Sequence, residues 1–165
     1  MIFDRTQNDV DTAIRLRSEK VKFDPVTMQP INPEELTESE IATLEKGTIT
    51  HNTLNRIESK QEELKDLLIA LGHSFFSLTT KTWTANDIFN EVDFRRIINN
   101  LDKLKEAFTT MITTPKTPEP NYYFQNINDI EKILFDLDFL INNARKNINL
   151  SWAIGTADTG LNFTS

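Results

Sequence analysis

Apolar residues recur along this chain at steps of three and four, and the same rhythm appears three times. The first set is Leu54, Ile57, Gln61, Leu64, Leu68 and Leu71; the second is Phe94, Ile97, Leu101, Leu104, Phe108 and Met111; the third is Ile127, Ile130, Leu134, Leu137, Ile141 and Ala144. A 3-4-3-4-3 rhythm keeps side chains on one face of a helix with 3.6 residues per turn. A seam of that kind faces a partner helix along its length at a shallow crossing angle. The pattern predicts an all-α fold, a bundle of three long helices over about 50–71, 93–111 and 126–147.

Polar punctuation supports these bounds. Thr50 can cap the first long helix and Gly72 can end it, while Asp93 and Asn126 stand where the second and third need caps. Upstream, Thr6 precedes Asp9 by three residues, which predicts a capped N-terminal helix with Val10, Ala13 and Ile14 as its apolar stripe, ending near Lys20. Three prolines between Val21 and Pro33 predict an extended connector, because each removes a backbone donor. Asn32 followed by Pro33, Glu34 and Glu35 then predicts a short helix near 33–46, with Leu36, Ile41 and Leu44 inward and Gly47 as its stop.

The remaining segments connect or terminate. Phe75 to Asn90 carries Trp83, Ile88 and Phe89 and is expected to plug one bundle end, while Thr113 to Pro120 is an extended, proline-spaced linker. Past Asn147 the period changes: Leu150, Trp152 and Ile154 alternate, Gly155 and Gly160 bracket a turn, and Leu161 and Phe163 alternate again. This divides the chain into a helical domain over 1–147 and a C-terminal hairpin or arm over 148–165. A lone hairpin is marginal in water, so it should pack on the bundle or add its edge to a neighbouring chain.

Charge and composition narrow the function classes. The net charge of −7 and the absence of a basic face argue against a nucleic-acid partner; Arg15, Arg17, Lys20 and Lys22 are offset locally by Asp9, Asp11, Glu19 and Asp24. Without cysteine there is no disulfide, thiol catalysis or thiolate metal site. No apolar run reaches the roughly 20 residues of a membrane span, and the opening Met-Ile-Phe-Asp-Arg is not a secretory signal, so synthesis in the cytoplasm without a membrane partner is expected.

Chemistry is sparse. His51 and His73 flank opposite ends of the first long helix, roughly 30 Å apart at 1.5 Å per residue, and cannot share a site. Ser74 and Ser77 beside His73 lack a nucleophile elbow, and the four glycines form no phosphate loop. Glu62, Glu63, Asp136 and Asp138 read as solubilising carboxylates on diverging helix faces. No catalytic, cofactor-binding or metal-ligating residue is assigned, no cofactor is implied, and the chain is not expected to be an enzyme. Apolar excess points to contact with other chains instead. Phe135 and Phe139 lie off the seam, Tyr122, Tyr123 and Phe124 follow the proline linker, and Trp152, Ile154, Leu161 and Phe163 mark the terminal arm.

Two seam helices open alike: Leu54-Asn55-Arg56-Ile57-Glu58 and Ile127-Asn128-Asp129-Ile130-Glu131, offset by 73 residues, share apolar-Asn-x-Ile-Glu. The constant offset points to an internal duplication and to equivalent docking of the two helices.

These motifs carry a resemblance. Phe3-Asp4-Arg5-Thr6-Gln7-Asn8-Asp9-Val10, Lys46-Gly47, Asn52-Thr53-Leu54-Asn55-Arg56-Ile57-Glu58, Trp83-Thr84, Asn128-Asp129-Ile130-Glu131-Lys132-Ile133-Leu134 and the glycine-bearing end occur in an order that resembles small tail or baseplate-region proteins of phages and prophages of Gram-positive bacteria. The segment Val21 to Glu45 is longer and richer in proline than that pattern. The resemblance implies a non-enzymatic virion structural protein of the tail tip, baseplate or fibre attachment, located in the virion tail. Its implied partners are other tail proteins and further copies of itself. Alternatives are a host-surface receptor or glycan-binding module using exposed aromatics, and a tail assembly chaperone.

Overall fold

All three seams converge on one core. In the computed structural model, which describes residues 2–20, 22–23, 26, 30–31, 36–121 and 123–157 (at 22–23, 30–31 and 149–157 the backbone path), the order is α1 (Gln7–Lys20), β1 (Lys22–Phe23), β2 (Pro30–Ile31), α2 (Glu38–Gly47), α3 (His51–Ala70), α4 (Glu91–Ala107) and α5 (Phe124–Ala157). The fold is all-α apart from the antiparallel pair of two-residue strands in the connector. Leu54, Ile57, Leu64 and Leu68 of α3, Phe94, Ile97, Leu101 and Leu104 of α4, and Ile127, Ile130, Leu134, Leu137 and Ile141 of α5 are buried in a single cluster. Gln61, the polar member of the first seam, is buried without loss: its Nε2 donates to Ile97 O at 2.8 Å and its Oε1 accepts from Asn100 Nδ2 at 3.3 Å.

Local chemistry sets the helix ends, and several differ from the sequence expectation. Thr50 caps α3 as expected, and Gly72, at φ 91°, ends it with bonds from Gly72 N to Ile69 O and His73 N to Leu68 O. α4 begins earlier than Asp93, because Asn90 Oδ1 accepts from both Val92 N and Asp93 N. It also ends at Ala107, short of Met111; Phe108 turns extended at φ −145° and still packs on the core, since Thr109 and Thr110 lose side-chain freedom in a helix. α5 begins at Phe124, so Asn126 is not its cap; that amide instead reaches back to Glu119 O at 2.7 Å and Asn121 Oδ1 at 2.8 Å. α2 starts at Glu38, where Thr37 and Glu40 form a reciprocal capping box, so Leu36 precedes the helix; the Asn32–Glu35 start lies outside the described residues.

The C-terminal hairpin is corrected. Residues 148–157 continue α5 as helix to Ala157, and 158–165 lie outside the described residues. Together with the preceding Ile148, the alternating residues form the i, i+4 pairs Ile148–Trp152 and Leu150–Ile154, so they also fit a helical period. Extending a formed helix adds one hydrogen bond per residue with no new nucleus, whereas a strand needs a partner edge.

α1 packs chiefly on α2. Thr6 and Asp9 close the expected reciprocal cap, with Thr6 N donating to Asp9 Oδ2 at 2.8 Å and Asp9 N to Thr6 Oγ1 at 3.3 Å. Gly47 is needed here for close approach: a Cβ at this position would overlap the Asp9 carbonyl oxygen and the Ala13 Cβ. The proline linker crosses α4 and α5, pinned by Thr117 Oγ1 to Asp102 Oδ1 at 2.6 Å and Thr114 Oγ1 to Asp136 Oδ2 at 2.8 Å. Asp136, read as solubilising, is therefore a buried anchor.

Candidate docking site

The repeated apolar-Asn-x-Ile-Glu motif builds two equivalent clamps. On α3, Asn55 pairs with one backbone residue twice: Trp83 N donates to Asn55 Oδ1 at 2.8 Å and Asn55 Nδ2 donates to Trp83 O at 2.9 Å. On α5, Arg5 N donates to Asn128 Oδ1 at 3.3 Å and Asn128 Nδ2 donates to Arg5 O at 2.9 Å. One turn on, the buried glutamate takes the side chain of that same residue. Trp83 Nε1 donates to Glu58 Oε1 at 2.6 Å, and Arg5 Nη1 donates to Glu131 Oε2. Spacing of three places Asn and Glu on one helix face, so a single turn reads both backbone and side chain of the docked residue.

The docked segments repeat as well. Arg5-Thr6-Gln7-Asn8-Asp9 and Trp83-Thr84-Ala85-Asn86-Asp87 share x-Thr-x-Asn-Asp at an offset of 78 residues from Arg5 to Trp83. In both, the aspartate Oδ2 accepts from the backbone N and the hydroxyl of the threonine, at 2.8 Å in the first and 2.7 Å in the second. Those bonds hold Asp9 below its ordinary value; Asp87 is held further down, by Lys81 first and then by Thr84.

Around Trp83 the segment forms a strap across α3 and α4. Asn100 pairs both ways with the Thr79 backbone, Lys81 N donates to Glu58 Oε2 at 2.7 Å, and Lys103 Nζ donates to Ser77 O at 2.9 Å. Arg96 donates to both Glu58 oxygens, which raises the guanidinium above its usual value, and Lys81 sits 4.0 Å over the Trp83 ring. Phe89 meets Trp83 edge-on with centroids 5.6 Å apart, so these aromatics do close one end of the core. Ile88, in contrast, is exposed.

The second clamp is less complete. Glu131 receives two guanidinium groups, Arg5 and Arg56, the latter through Nε at 2.9 Å. Arg5 Nε and Nη2 are buried and meet no hydrogen-bond acceptor among the described residues. Burial raises the half-buried Asp129, which stands in this motif where Arg56 stands in the first.

The sequence-selected contact residues separate into three groups. Phe135 and Phe139 are 45% and 52% exposed on α5; Phe3 stacks on Phe135 with centroids 5.1 Å apart. Tyr123 is 70% exposed, Phe124 is the half-buried first residue of α5, and Tyr122 lies outside the described residues. Trp152 and Ile154 belong to α5, while Leu161 and Phe163 lie outside the described residues. Tyr123 and Phe124 border an open cleft of about 360 Å³ with Arg5, Val10, Thr48 and Ile127. The histidines stay apart, His73 lying edge-on to Phe108 at 5.6 Å. Among the described residues there is no cluster of three or more metal-ligating side chains, and no helix is long and apolar enough to cross a membrane.

The repeat itself is visible in the sequence; that Asn55, Glu58, Asn128 and Glu131 dock Trp83 and Arg5 is not. The signal was present: two motifs of different kinds, each duplicated, whose polar members have no other evident task. No protein-family model, curated protein or solved structure matches this chain.

Proposed function

We propose that this chain is a non-enzymatic structural protein of a phage tail, in the tip, baseplate or fibre-attachment region, where it docks other tail proteins. The observation that carries this is the use of its polar residues: the Asn–Glu pairs on α3 and α5, their glutamates buried, are engaged in holding the Trp83 and Arg5 segments in place. An aromatic patch formed by Phe3, Phe135 and Phe139 on the outside of α5 supplies apolar area for a partner. The order of sequence motifs, resembling tail-region proteins, supplies the biological setting.

Mass spectrometry of purified particles tests the proposal. Stoichiometric presence in virions supports it; presence in infected lysate with absence from virions replaces it with an assembly chaperone. A receptor- or glycan-binding role is favoured by one feature, Tyr123 at the mouth of the 360 Å³ cleft. Wall-polysaccharide binding that disappears in Tyr123→Ala would move the function to that cleft.

A further inference from the structure

The two clamps are filled crosswise. The Arg5 segment opens the part of the chain that contains α3, yet docks on α5; the Trp83 segment opens the part that contains α5, yet docks on α3. Two like halves that each give a segment to the other's helix have the geometry of reciprocal exchange, which in proteins commonly operates between copies as well as within one.

Three further observations bear on exchange between copies. First, the N-terminal unit holds itself together. α1 packs on α2 around Ala13 and Gly47, with Lys46 within 3.4 Å of Asp9 and Lys20 within 3.7 Å of Glu40, and Ala13 lies outside the core cluster of α3, α4 and α5. Second, that unit joins the bundle through a short connector, Thr48 to Thr50, whose threonines are both extended. A short hinge loop between two packed units is where exchange between copies operates in other proteins. Third, the arm is the more weakly held of the two docked segments. Trp83 lies in the core with its backbone N–H 2.8 Å from Asn55 Oδ1 and its indole N–H on Glu58, whereas Arg5 N stands 3.3 Å from Asn128 Oδ1, and Arg5 Nε and Nη2 meet no acceptor among the described residues.

We propose that residues 2–47 exchange between two copies of this chain, the Thr48–Thr50 connector acting as the hinge, so that Arg5 of one copy occupies the Asn128–Glu131 clamp of the second. Phe3 then covers Phe135 of that second copy. The proposal deepens the structural-subunit role by naming one partner, a second copy, and rests on that role for its setting.

The natural chain has no cysteine, so an introduced pair reports on itself alone. Phe3→Cys and Phe135→Cys variants, one isotope-labelled, are mixed, unfolded together, refolded and oxidised, and disulfide-linked peptides are identified by mass. Exchange predicts a link from position 3 of one copy to position 135 of the other, its yield rising up to about tenfold per tenfold rise in concentration, as mass action requires. Light scattering of the unmodified chain should show a dimer growing over the same range, and Asn128→Ala with Arg5→Ala should reduce it. A double Cys variant that forms only intrachain links, with an unmodified chain monomeric at every concentration, overturns the proposal. That result leaves particle composition untouched, so it is distinguishable from failure of the tail role.

Discussion

Asn55 and Asn128 perform the same act at two places: each closes a two-bond ring on the backbone of one residue, Trp83 and Arg5 respectively. Neither ring is part of a helix or sheet ladder. Side-chain amides thereby stand in for a β partner on segments that have none.

Removing either amide should expose that dependence. Asn55→Ala leaves the Trp83 N–H and carbonyl unmet in a buried setting, for an expected loss of about 1–3 kcal/mol. Asn128→Ala should cost less, because its bond to Arg5 N is longer, 3.3 Å against 2.8 Å. Urea denaturation of both variants checks the order, and equal, near-neutral midpoints would remove the clamps from the account of stability.

Glu58 is the joint acceptor for Trp83 Nε1, Lys81 N and Arg96. Glu58→Ala leaves the buried Trp83 indole N–H without its acceptor and reduces Arg96 to Thr79 O and Asp93, for an expected loss of about 1–3 kcal/mol. In a Trp152→Phe background the Trp83 emission should shift red as the strap loosens. An unchanged emission maximum would show that packing alone holds the indole.

Leu64, Leu101 and Leu137 are fully buried members of one core cluster, contributed by α3, α4 and α5. Each leucine-to-alanine change should cost about 2–5 kcal/mol in thermal or chemical unfolding. Small shifts for all three would contradict a shared core.

Phe139 is half-exposed and, among the described residues, has no ring contact like that of Phe135 with Phe3. Phe139→Asp should leave the melting temperature of the isolated protein within a few degrees yet reduce incorporation into particles. Full incorporation of the variant would place the docking surface elsewhere.

Acid should weaken the caps. The folded values of Asp9, Glu40 and Asp87 lie below their ordinary ones, so the stability they contribute is present above the ordinary carboxylate range and is lost as pH falls through the folded values. Melting curves should therefore drop steadily below about pH 4. Asp87→Asn should flatten that drop. Asp129 has the opposite sign: burial raises its value, so Asp129→Asn should be neutral or stabilising at pH 7.

Much of the bundle was legible in the sequence because helical seams are local. Leu54 to Leu68, Phe94 to Leu104 and Ile127 to Ile141 repeat at a helical period that few other folds tolerate, and Thr6, Thr50 and Gly72 act within a single turn of where they stand. Helix ends governed by competing neighbours were less legible: Asn90 outranks Asp93, Thr37 starts α2 four residues past Pro33, and α5 runs through the alternating stretch to Ala157. There the same residues fit two periods, and only the free energy of extending an existing helix decides between them.

The clamps belong wholly to tertiary structure. A sequence displays Asn55, Glu58, Asn128 and Glu131 as a repeat, but each acts on a residue far along the chain, Asn128 on one 123 positions away. Nothing local distinguishes a helix-face asparagine that meets water from one that meets a backbone. That Asp136 and Glu131 are buried anchors, while Ile88 and Phe139 face outward, likewise depends on where a strap or linker happens to cross the bundle. Periodicity determined which faces turn inward; the crossing of distant segments decided which polar groups lie under them, because only the assembled chain excludes water there.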